Sequence, residues 1–428
     1  MGGRRPSTVS DNALVSGRVL LHTAGSMNRR VLAAGISLAA VVVAGAAGCS
    51  GLLGISDRSL DPGTDAAAQE GGLVDVQVDM ASPESGTPEG SAGEGGACGD
   101  TMTSTNNCGR CGHDCLGGTC TAGVCQPVAI VPGSKNMRPW QLALTDTAVY
   151  FTDSINGAIA KVNKDGTGLL VLDSSGFRDN AIGLDDAGVF FSDLNDNAVV
   201  HCTLTSCGAG PSILTMVPST GDVTSLAVDQ GITFTDDMCD LYRLPTKQAG
   251  TPATLVASDG GSPCPLEVKS DGTYLYVAND TGEVVRMGFD GGGVLNLSGN
   301  QSVPLANSVA VDSQAVYWVQ QDPNFTLPGT INIAGLDGSN PHVLVGGQVN
   351  AEEIVSDGTN VYWTVTGGGS SGNSGTVMMC SPANCQPVTL ASQQPNPSFI
   401  AVDAVAVYWT DFAGVNNFPG TVMKVAKP

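Results

Sequence analysis

The sequence predicts an all-β protein built around a seven-bladed β-propeller. Seven repeats follow residue 127, each repeat contains four short β-branched and aromatic runs, and the last repeat lacks its fourth run. A matching run lies just before the first repeat, at 127–133. Blades of four strands arranged in a closed ring explain all three observations.

The repeats share an aspartate turn followed by an aromatic or β-branched residue in the second run. The marker residues are Tyr150, Phe190, Thr233, Tyr276, Tyr317, Tyr362 and Tyr408. Successive markers are 40 to 46 residues apart, which is the length of a four-stranded blade. Asp-Gly pairs such as Asp165-Gly166 indicate hairpins between strands.

The ends of the repeat region predict how the ring closes. Fourth strands are expected at 168–173, 211–217, 251–257, 293–298, 341–346 and 387–391. The seventh repeat ends after its third strand, in GTVMKVAKP. The segment PVAIVPG (127–133) is therefore expected to complete the last blade, which removes the exposed sheet edges at the junction.

An export signal precedes these repeats. From Met27, two arginines lead into a run of small apolar residues that ends in Ala46-Ala47-Gly48-Cys49. This order of charged, apolar and small residues is typical of a signal peptide, and the run is too short to cross a bilayer. It resembles a bacterial lipoprotein signal, which implies that Cys49 becomes the acylated first residue. Residues 1–48 are then an upstream segment plus signal, and 1–26 are expected to be a misassigned start.

The composition of residues 49–97 predicts a disordered linker. They consist mainly of Gly, Ser, Asp, Glu, Pro and Ala, with too few large apolar side chains to offset the entropy of ordering. The whole chain carries 40 acidic against 18 basic residues, a net charge of −22. This charge argues against nucleic acid as a partner and against direct membrane binding except through the lipid anchor.

Thirteen cysteines leave twelve to pair once Cys49 is assigned to the lipid. A small module at 98–126 contains six of them: Cys98, Cys108, Cys111, Cys115, Cys120 and Cys125. Three disulfides among these six are expected in an exported protein. The alternative is a zinc site, since Cys108 and Cys111 have ligand spacing and His113 is near. The spacing of the cysteines resembles that of modules in secreted myxobacterial-type proteins.

The remaining six cysteines lie within the repeats. Cys202–Cys207 and Cys380–Cys385 occupy the same place in the second and sixth repeats and predict hairpin disulfides. Cys239 and Cys264 are left as a pair that joins the third repeat to the fourth.

The string VYWTD (407–411) carries a family resemblance. It resembles YWTD propellers, and the repeats are similar to the wider superfamily that includes NHL and TolB-like domains. YWTD and TolB-like propellers have six blades, so six is the alternative to the seven counted in residues 127–428.

Candidate site residues lie where the second strands end. Asp153, Asp193, Asp236, Asp280 and Asp411 fall at one rim of the predicted ring. Such a carboxylate rim is a weak candidate for Ca²⁺, with Asp153, Asp193 and Asp236 as ligands. The alternative is that each carboxylate caps its own turn. No other cofactor is predicted.

Three long connections extend from this rim, at 320–329, 365–375 and 411–420. Long loops on one face of a repeat array are common binding sites. We therefore expect a ligand-binding rim that includes Phe325, Phe412 and Phe418, together with Asp411. The alternative is that each Phe packs its own loop onto the blade.

These features predict a monomeric, non-catalytic lipoprotein of the bacterial cell envelope, at the outer membrane or the periplasmic face. Its propeller would bind a protein or polysaccharide partner. One alternative is a metal-assisted hydrolase or lyase, although the repeats contain only His201 and His342. A second alternative is a structural envelope component.

Overall fold

The computed structural model describes residues 98–134, 137–174, 181–258, 263–299, 305–322, 328–367, 373–412 and 420–428. All elements in these ranges are β-strands, apart from one 3₁₀ turn at Pro382–Asn384. Among the described residues, no helix has the length and apolar character that crossing a bilayer requires. The predicted signal, Cys49 and the linker lie outside the described residues.

Three disulfides hold the N-terminal module together. They join Cys98 to Cys111, Cys108 to Cys120 and Cys115 to Cys125. The sulfur atoms of Cys108, Cys115 and Cys125 lie within 4.8 Å of one another. Because each of these sulfurs is already in a disulfide, no thiolate is left for the zinc site that the spacing also allowed.

Three strands precede the first blade. In the module, β1 (Cys120–Thr121) pairs with β2 (Val124–Cys125), and β3 (Val128–Ser134) follows.

The module packs against the C-terminal end of the chain. Cys108, Cys115, Cys120 and Cys125 form a buried cluster with Ala426.

Seven antiparallel four-stranded sheets follow, and six of them use consecutive strands. The first three blades are β4 (Pro139–Leu144), β5 (Ala148–Asp153), β6 (Ala158–Asn163), β7 (Leu170–Asp173); β8 (Ile182–Asp185), β9 (Gly188–Asp193), β10 (Ala198–Cys202), β11 (Ser212–Met216); and β12 (Val223–Val228), β13 (Ile232–Asp236), β14 (Asp240–Leu244), β15 (Thr254–Ser258).

The next three blades have the same order. They are β16 (Pro265–Ser270), β17 (Leu275–Asn279), β18 (Val284–Met287), β19 (Leu295–Asn296); β20 (Ala306–Val311), β21 (Ala315–Gln320), β22 (Gly329–Gly335), β23 (His342–Gln348); and β24 (Ala351–Ser356), β25 (Val361–Val365), β26 (Gly375–Cys380), β27 (Val388–Gln394). Each fourth strand lies within three residues of its predicted range.

The seventh blade joins the two ends of the propeller. It contains β28 (Pro397–Val402), β29 (Ala406–Asp411) and β30 (Gly420–Ala426), and β3 is its outer strand. Val128 pairs with Lys424 and Ala129 with Met423. The fold class, the seven blades and the closing strand are therefore as the sequence predicts.

The first strands of the blades form the inner ring. They contact one another in turn from β4 to β28, and β28 contacts β4 again. Side chains at the third position of four of these strands accept a hydrogen bond from a backbone N–H of the following blade. Gln141 accepts from Ile182 and Ser225 from Val268, both at 3.2 Å. Glu267 accepts from Val309 at 2.7 Å and Ser308 from Ile354 at 3.1 Å.

The repeated aspartate and tyrosine stabilise the turn between the first and second strands. The hydroxyl groups of Tyr276, Tyr362 and Tyr408 donate to Asp271, Asp357 and Asp403 over 2.9 to 3.0 Å. Their rings are buried between blades, as are Trp318, Trp363 and Trp409. The motif that reveals the repeat is thus a structural feature of each blade, since a buried hydroxyl needs a partner.

The disulfides within the propeller are the three pairs that the sequence predicts. Cys202–Cys207 and Cys380–Cys385 each bridge the connection from the third to the fourth strand. Cys239–Cys264 joins the third blade to the start of the fourth.

Candidate functional site

The carboxylates predicted at one rim are the last residues of second strands. Asp153, Asp193, Asp236 and Asp411 end β5, β9, β13 and β29 and are all about 1% exposed. Asn279 and Gln320 occupy this place in the fourth and fifth blades, and Asp280 follows Asn279. The rim where second strands end is called the loop face below.

Two of these carboxylates cap their own turns. Asp153 accepts from the backbone N–H of Arg138 at 2.9 Å and of Ile155 at 3.1 Å, and from the Asn156 side-chain amide at 2.6 Å. Asp236 accepts from the N–H of Asp240 at 2.9 Å and from the Ser219 hydroxyl. These contacts are those of the turn-capping alternative.

Asp193 is capped on one oxygen only. Its Oδ1 accepts from the N–H of Asn195 at 2.9 Å, while its buried Oδ2 has no hydrogen-bond partner among the described residues. Burial raises the pKa of this carboxyl, and the neighbouring carboxylates of Asp196 and Asp173 raise it further.

Asp411 accepts the fewest hydrogen bonds of the four aspartates that end second strands, within the described residues. Its Oδ2 accepts from the Thr421 hydroxyl at 3.1 Å, and its Oδ1 has no partner among the described residues. The Trp409 indole lies close by but does not reach hydrogen-bond geometry. Burial raises the pKa of Asp411 to about 7.

Only part of the predicted aromatic rim can be placed. Phe325 and Phe418 lie outside the described residues. Phe412 directly follows β29 and is partly buried. Its ring centroid lies 4.8 Å from that of Trp140, in an edge-to-face arrangement.

Phe412 belongs to a cluster that the sequence analysis did not find. Trp140 and Phe399 lie near the starts of β4 and β28, with ring centroids 5.0 Å apart. The Arg138 guanidinium lies over the Phe412 ring, 4.9 Å from its centroid. Trp140, Phe399, Phe412 and Arg138, called the aromatic mouth below, are partly buried between the seventh and first blades on the loop face.

A second cluster lies on the inner strands themselves. Lys269 Nζ is 2.7 Å from a carboxylate oxygen of Glu267 and 3.6 Å from one of Glu353. Lys269 also lines a cavity of about 290 Å³ formed by the ends of β12, β16, β20 and β24. This cavity opens at the rim opposite the loop face, where first strands end.

The charges in this inner cluster are unequal. Burial raises the pKa of Glu353 well above its usual range, and the nearby Glu267 carboxylate adds to the effect. Burial would raise the pKa of Glu267 as well, but the Lys269 ammonium outweighs it and holds that pKa below its usual value. The Lys269 ammonium therefore pairs more closely with Glu267, and of the two carboxyl groups Glu353 is the one that holds a proton more readily.

The histidines of the propeller lie away from both clusters. His201 is in β10, and its Nε2 lies 3.2 Å from the Ala187 carbonyl oxygen, which accepts the hydrogen bond. His342 begins β23 and is exposed. In the module, both ring nitrogens of His113 face carbonyl oxygens, of Cys108 at 2.6 Å and of Lys427 at 2.7 Å.

No protein-family model and no curated protein sequence matches the chain. Solved structures do match its fold. A catalytically inactive histidine-to-alanine variant of virginiamycin B lyase from Staphylococcus aureus, with quinupristin, has a TM-score of 0.56 and 12% identity. The match covers 71% of this chain and 99% of that one.

Two further structures match to a similar extent. Oligogalacturonate lyase in complex with manganese has a TM-score of 0.55 and 12% identity, over 71% of this chain and 93% of that chain. The WD40 domain of Pan2 from Neurospora crassa has a TM-score of 0.51 and 11% identity, over 71% of this chain and 94% of that chain. At such identities the likeness shows the fold alone. The chain shares the β-propeller fold with both lyases and a WD40 domain.

Proposed function

We propose that the propeller is a non-catalytic binding domain that recognises a polysaccharide or protein partner through its loop face. The observation that carries this proposal is the aromatic mouth. Its three partly buried rings lie beside the start of the long 411–420 connection, on the rim from which the other two long connections extend. Aromatic side chains at such sites provide large, rigid contact surfaces.

A substitution on each face tests this proposal. The chain offers a matched control, because Tyr274 lies on the opposite rim beneath the Arg286 guanidinium, 4.4 Å from the ring centroid. The purified full chain is applied to a glycan array and to an envelope-extract pull-down, alongside the variants Phe412→Ala and Tyr274→Ala. We expect partner binding to be lost in Phe412→Ala and kept in Tyr274→Ala. Equal loss in both variants, or retention in both, contradicts the proposal.

A second candidate function is a lyase or hydrolase. Glu267, Lys269 and Glu353 place two carboxyl groups and an ammonium together at the inner ring, and such groups transfer protons in catalysis. Two of the structural neighbours are lyases by name. Incubation with oligogalacturonate or quinupristin, with and without added Mn²⁺, followed by mass spectrometry, tests this candidate. A product that is absent with Glu353→Gln would support it over a purely binding role.

We also propose that the protein is exported and anchored to the cell envelope through a lipid on Cys49. Six disulfides support export, since such bonds form in oxidising compartments. Mass spectrometry of the mature N-terminus tests the anchor. A mature chain that begins at any residue other than an acylated Cys49 rejects it.

A further inference from the structure

We infer that the aromatic mouth binds an acidic sugar, with the carboxylate of a uronic acid residue on Arg138 and the face of the sugar ring on Trp140. This inference rests on the proposed binding function and specifies its ligand class. Arg138 carries it, because its side chain has no anionic partner among the residues that the structure describes.

The Arg138 guanidinium makes no hydrogen bond or ion pair within the described residues. Its Nε is buried and has no acceptor, and its contact is the face of Phe412. A buried guanidinium nitrogen without an acceptor is costly to the fold. A bound anion at the outer edge of the guanidinium would supply a counter-ion that the described residues do not provide.

The other basic residues of the propeller that the structure describes each have at least one polar partner. Lys164, Arg243, Lys247, Lys269 and Lys427 form ion pairs with carboxylates. Lys161 and Lys424 donate to backbone carbonyls, and so does Arg286 through Nη1, although its Nε is also buried without an acceptor. Among the propeller's described basic residues, Arg138 is therefore the one whose side chain makes no hydrogen bond or ion pair with another described residue, in a chain with more than two acidic residues for each basic one.

The neighbouring carboxylate does not take the role of partner. Asp153 accepts the backbone N–H of Arg138, and its remaining capacity goes to Ile155 and Asn156. Its carboxylate thus fixes the Arg138 backbone and leaves the guanidinium turned toward Phe412. Contact with an aromatic face does not use the N–H groups at the edge of a guanidinium, and these groups can bind a carboxylate in a bidentate manner.

The rest of the mouth suits a sugar ring. The backbone of Trp140 is fixed by the seventh blade, because its carbonyl oxygen accepts a hydrogen bond from the Thr410 hydroxyl at 2.8 Å. Its ring meets Phe399 and Phe412 edge to face, which leaves part of the indole accessible. The apolar face of a sugar ring packs on such a surface because both surfaces are then removed from water.

Polar groups lie at the same level of the inner ring. Asn307 and Glu352 are the second residues of β20 and β24, as Trp140 is of β4. Asn307 donates to Glu352 at 3.0 Å. Because these residues share the second position of their strands with Trp140, they lie at the same depth in the ring and offer donors and acceptors for sugar hydroxyls.

Intrinsic fluorescence of the full chain tests the inference directly. The chain has four tryptophans, and Trp318, Trp363 and Trp409 are fully buried, so a ligand-induced change reports on Trp140. The probes are a panel of uronate oligomers and, for each oligomer, its neutral methyl ester. We expect binding of at least one acid oligomer, with an affinity at least about tenfold above that of its ester.

Two arginine variants separate the charge from the fold. Arg138→Gln should weaken the acid oligomer about tenfold or more and leave the ester unchanged. Arg286→Gln, which removes an arginine that also stacks on an aromatic ring but already has a carbonyl partner, should leave both unchanged.

Each other outcome is decisive. Equal binding of acid and ester, or equal effects of the two arginine variants, overturns the acidic-sugar inference but leaves the binding function intact. Binding of no oligomer, with a protein captured through Phe412, overturns the inference in favour of a protein ligand. Binding of no oligomer and no partner loss in Phe412→Ala overturns both.

Discussion

Asp153 and Asp411 occupy the same place in neighbouring blades, yet their surroundings differ sharply. Both end a second strand and both are about 1% exposed. Asp153 accepts hydrogen bonds from two backbone N–H groups at 2.9 and 3.1 Å and from a side-chain amide at 2.6 Å, whereas Asp411 accepts one from a hydroxyl. The first blade follows Asp153 with a short turn, and the seventh blade follows Asp411 with a long connection.

The two carboxylates differ in the backbone donors that the residues after the strand provide. A short turn bends back at once, so its N–H groups reach the carboxylate that precedes it. In the seventh blade, no backbone N–H of a described residue reaches the Asp411 carboxylate. The repeat thus keeps the aspartate, while the described residues beside the aromatic mouth do not give it the capping contacts seen in the first blade.

The largest expected effect is on pH-dependent stability at Asp411. Because its pKa in the folded state lies near 7, the folded protein holds a proton that the unfolded chain releases at lower pH. The stability contributed by the protonated group is therefore present at low pH and is lost as pH rises through 7. From pH 5 to pH 8, the unfolding free energy of the unsubstituted protein should fall by about 3 kcal/mol relative to Asp411→Asn.

Urea unfolding at the two pH values measures this difference. Thr421→Val removes the hydroxyl donor of Asp411 and should enlarge the fall. Parallel pH dependence of the unsubstituted protein and Asp411→Asn would show that Asp411 is not the group responsible.

A smaller effect is expected at Asp153. Asp153→Ala leaves the N–H groups of Arg138 and Ile155 and the amide of Asn156 without their acceptor, which should lower the unfolding free energy by about 2 kcal/mol. Asp411→Ala at pH 8 removes a poorly paired charge and should cause no loss. Urea unfolding of both alanine variants at pH 8 measures the difference. Equal losses of unfolding free energy would show that the two carboxylates do not differ in capping.

The smallest effect is expected in the second blade, where Asp193 accepts fewer hydrogen bonds than Asp153 and more than Asp411. Asp196 stands three residues after Asp193, as Asn156 stands three residues after Asp153, and it offers a carboxylate in place of an amide. Asp196→Asn should provide Asp193 Oδ2 with a donor and raise the unfolding free energy by about 1 kcal/mol. A lowered unfolding free energy in this variant would mean that the second turn holds Asp193 in a different way.

The architecture could be predicted because its signals are local and repeated. Asp403 and Tyr408 are five residues apart in one turn, and the same spacing recurs around the ring. The hairpin cysteines are equally local. The fourth strand missing from the last repeat was visible because six other repeats contain one.

The aromatic mouth could not be predicted, because closing the ring is what creates it. Trp140 and Phe399 belong to the first and last blades and become neighbours only when β28 packs against β4. The lack of a partner for Arg138 depends on where every nearby carboxylate points. The inner cluster is similar, since Lys269 is close to Glu267 along the chain but reaches Glu353 only across the ring.

Closure of the ring by β3 also determines how the molecule bears mechanical load. A force applied at the N-terminal side acts first on residues 98–125. Three disulfides keep that module from extending, so the force is then transmitted to β3. That strand is paired with β30 alone, so the load falls on one ladder of hydrogen bonds at the seam of the ring. The His113 contact to the Lys427 carbonyl joins the module to the residue that follows β30 and gives the force a second path. With the lipid anchor and the ligand proposed above, such a propeller would open first at the blade beside its aromatic mouth, so tension and ligand occupancy would act on the same junction.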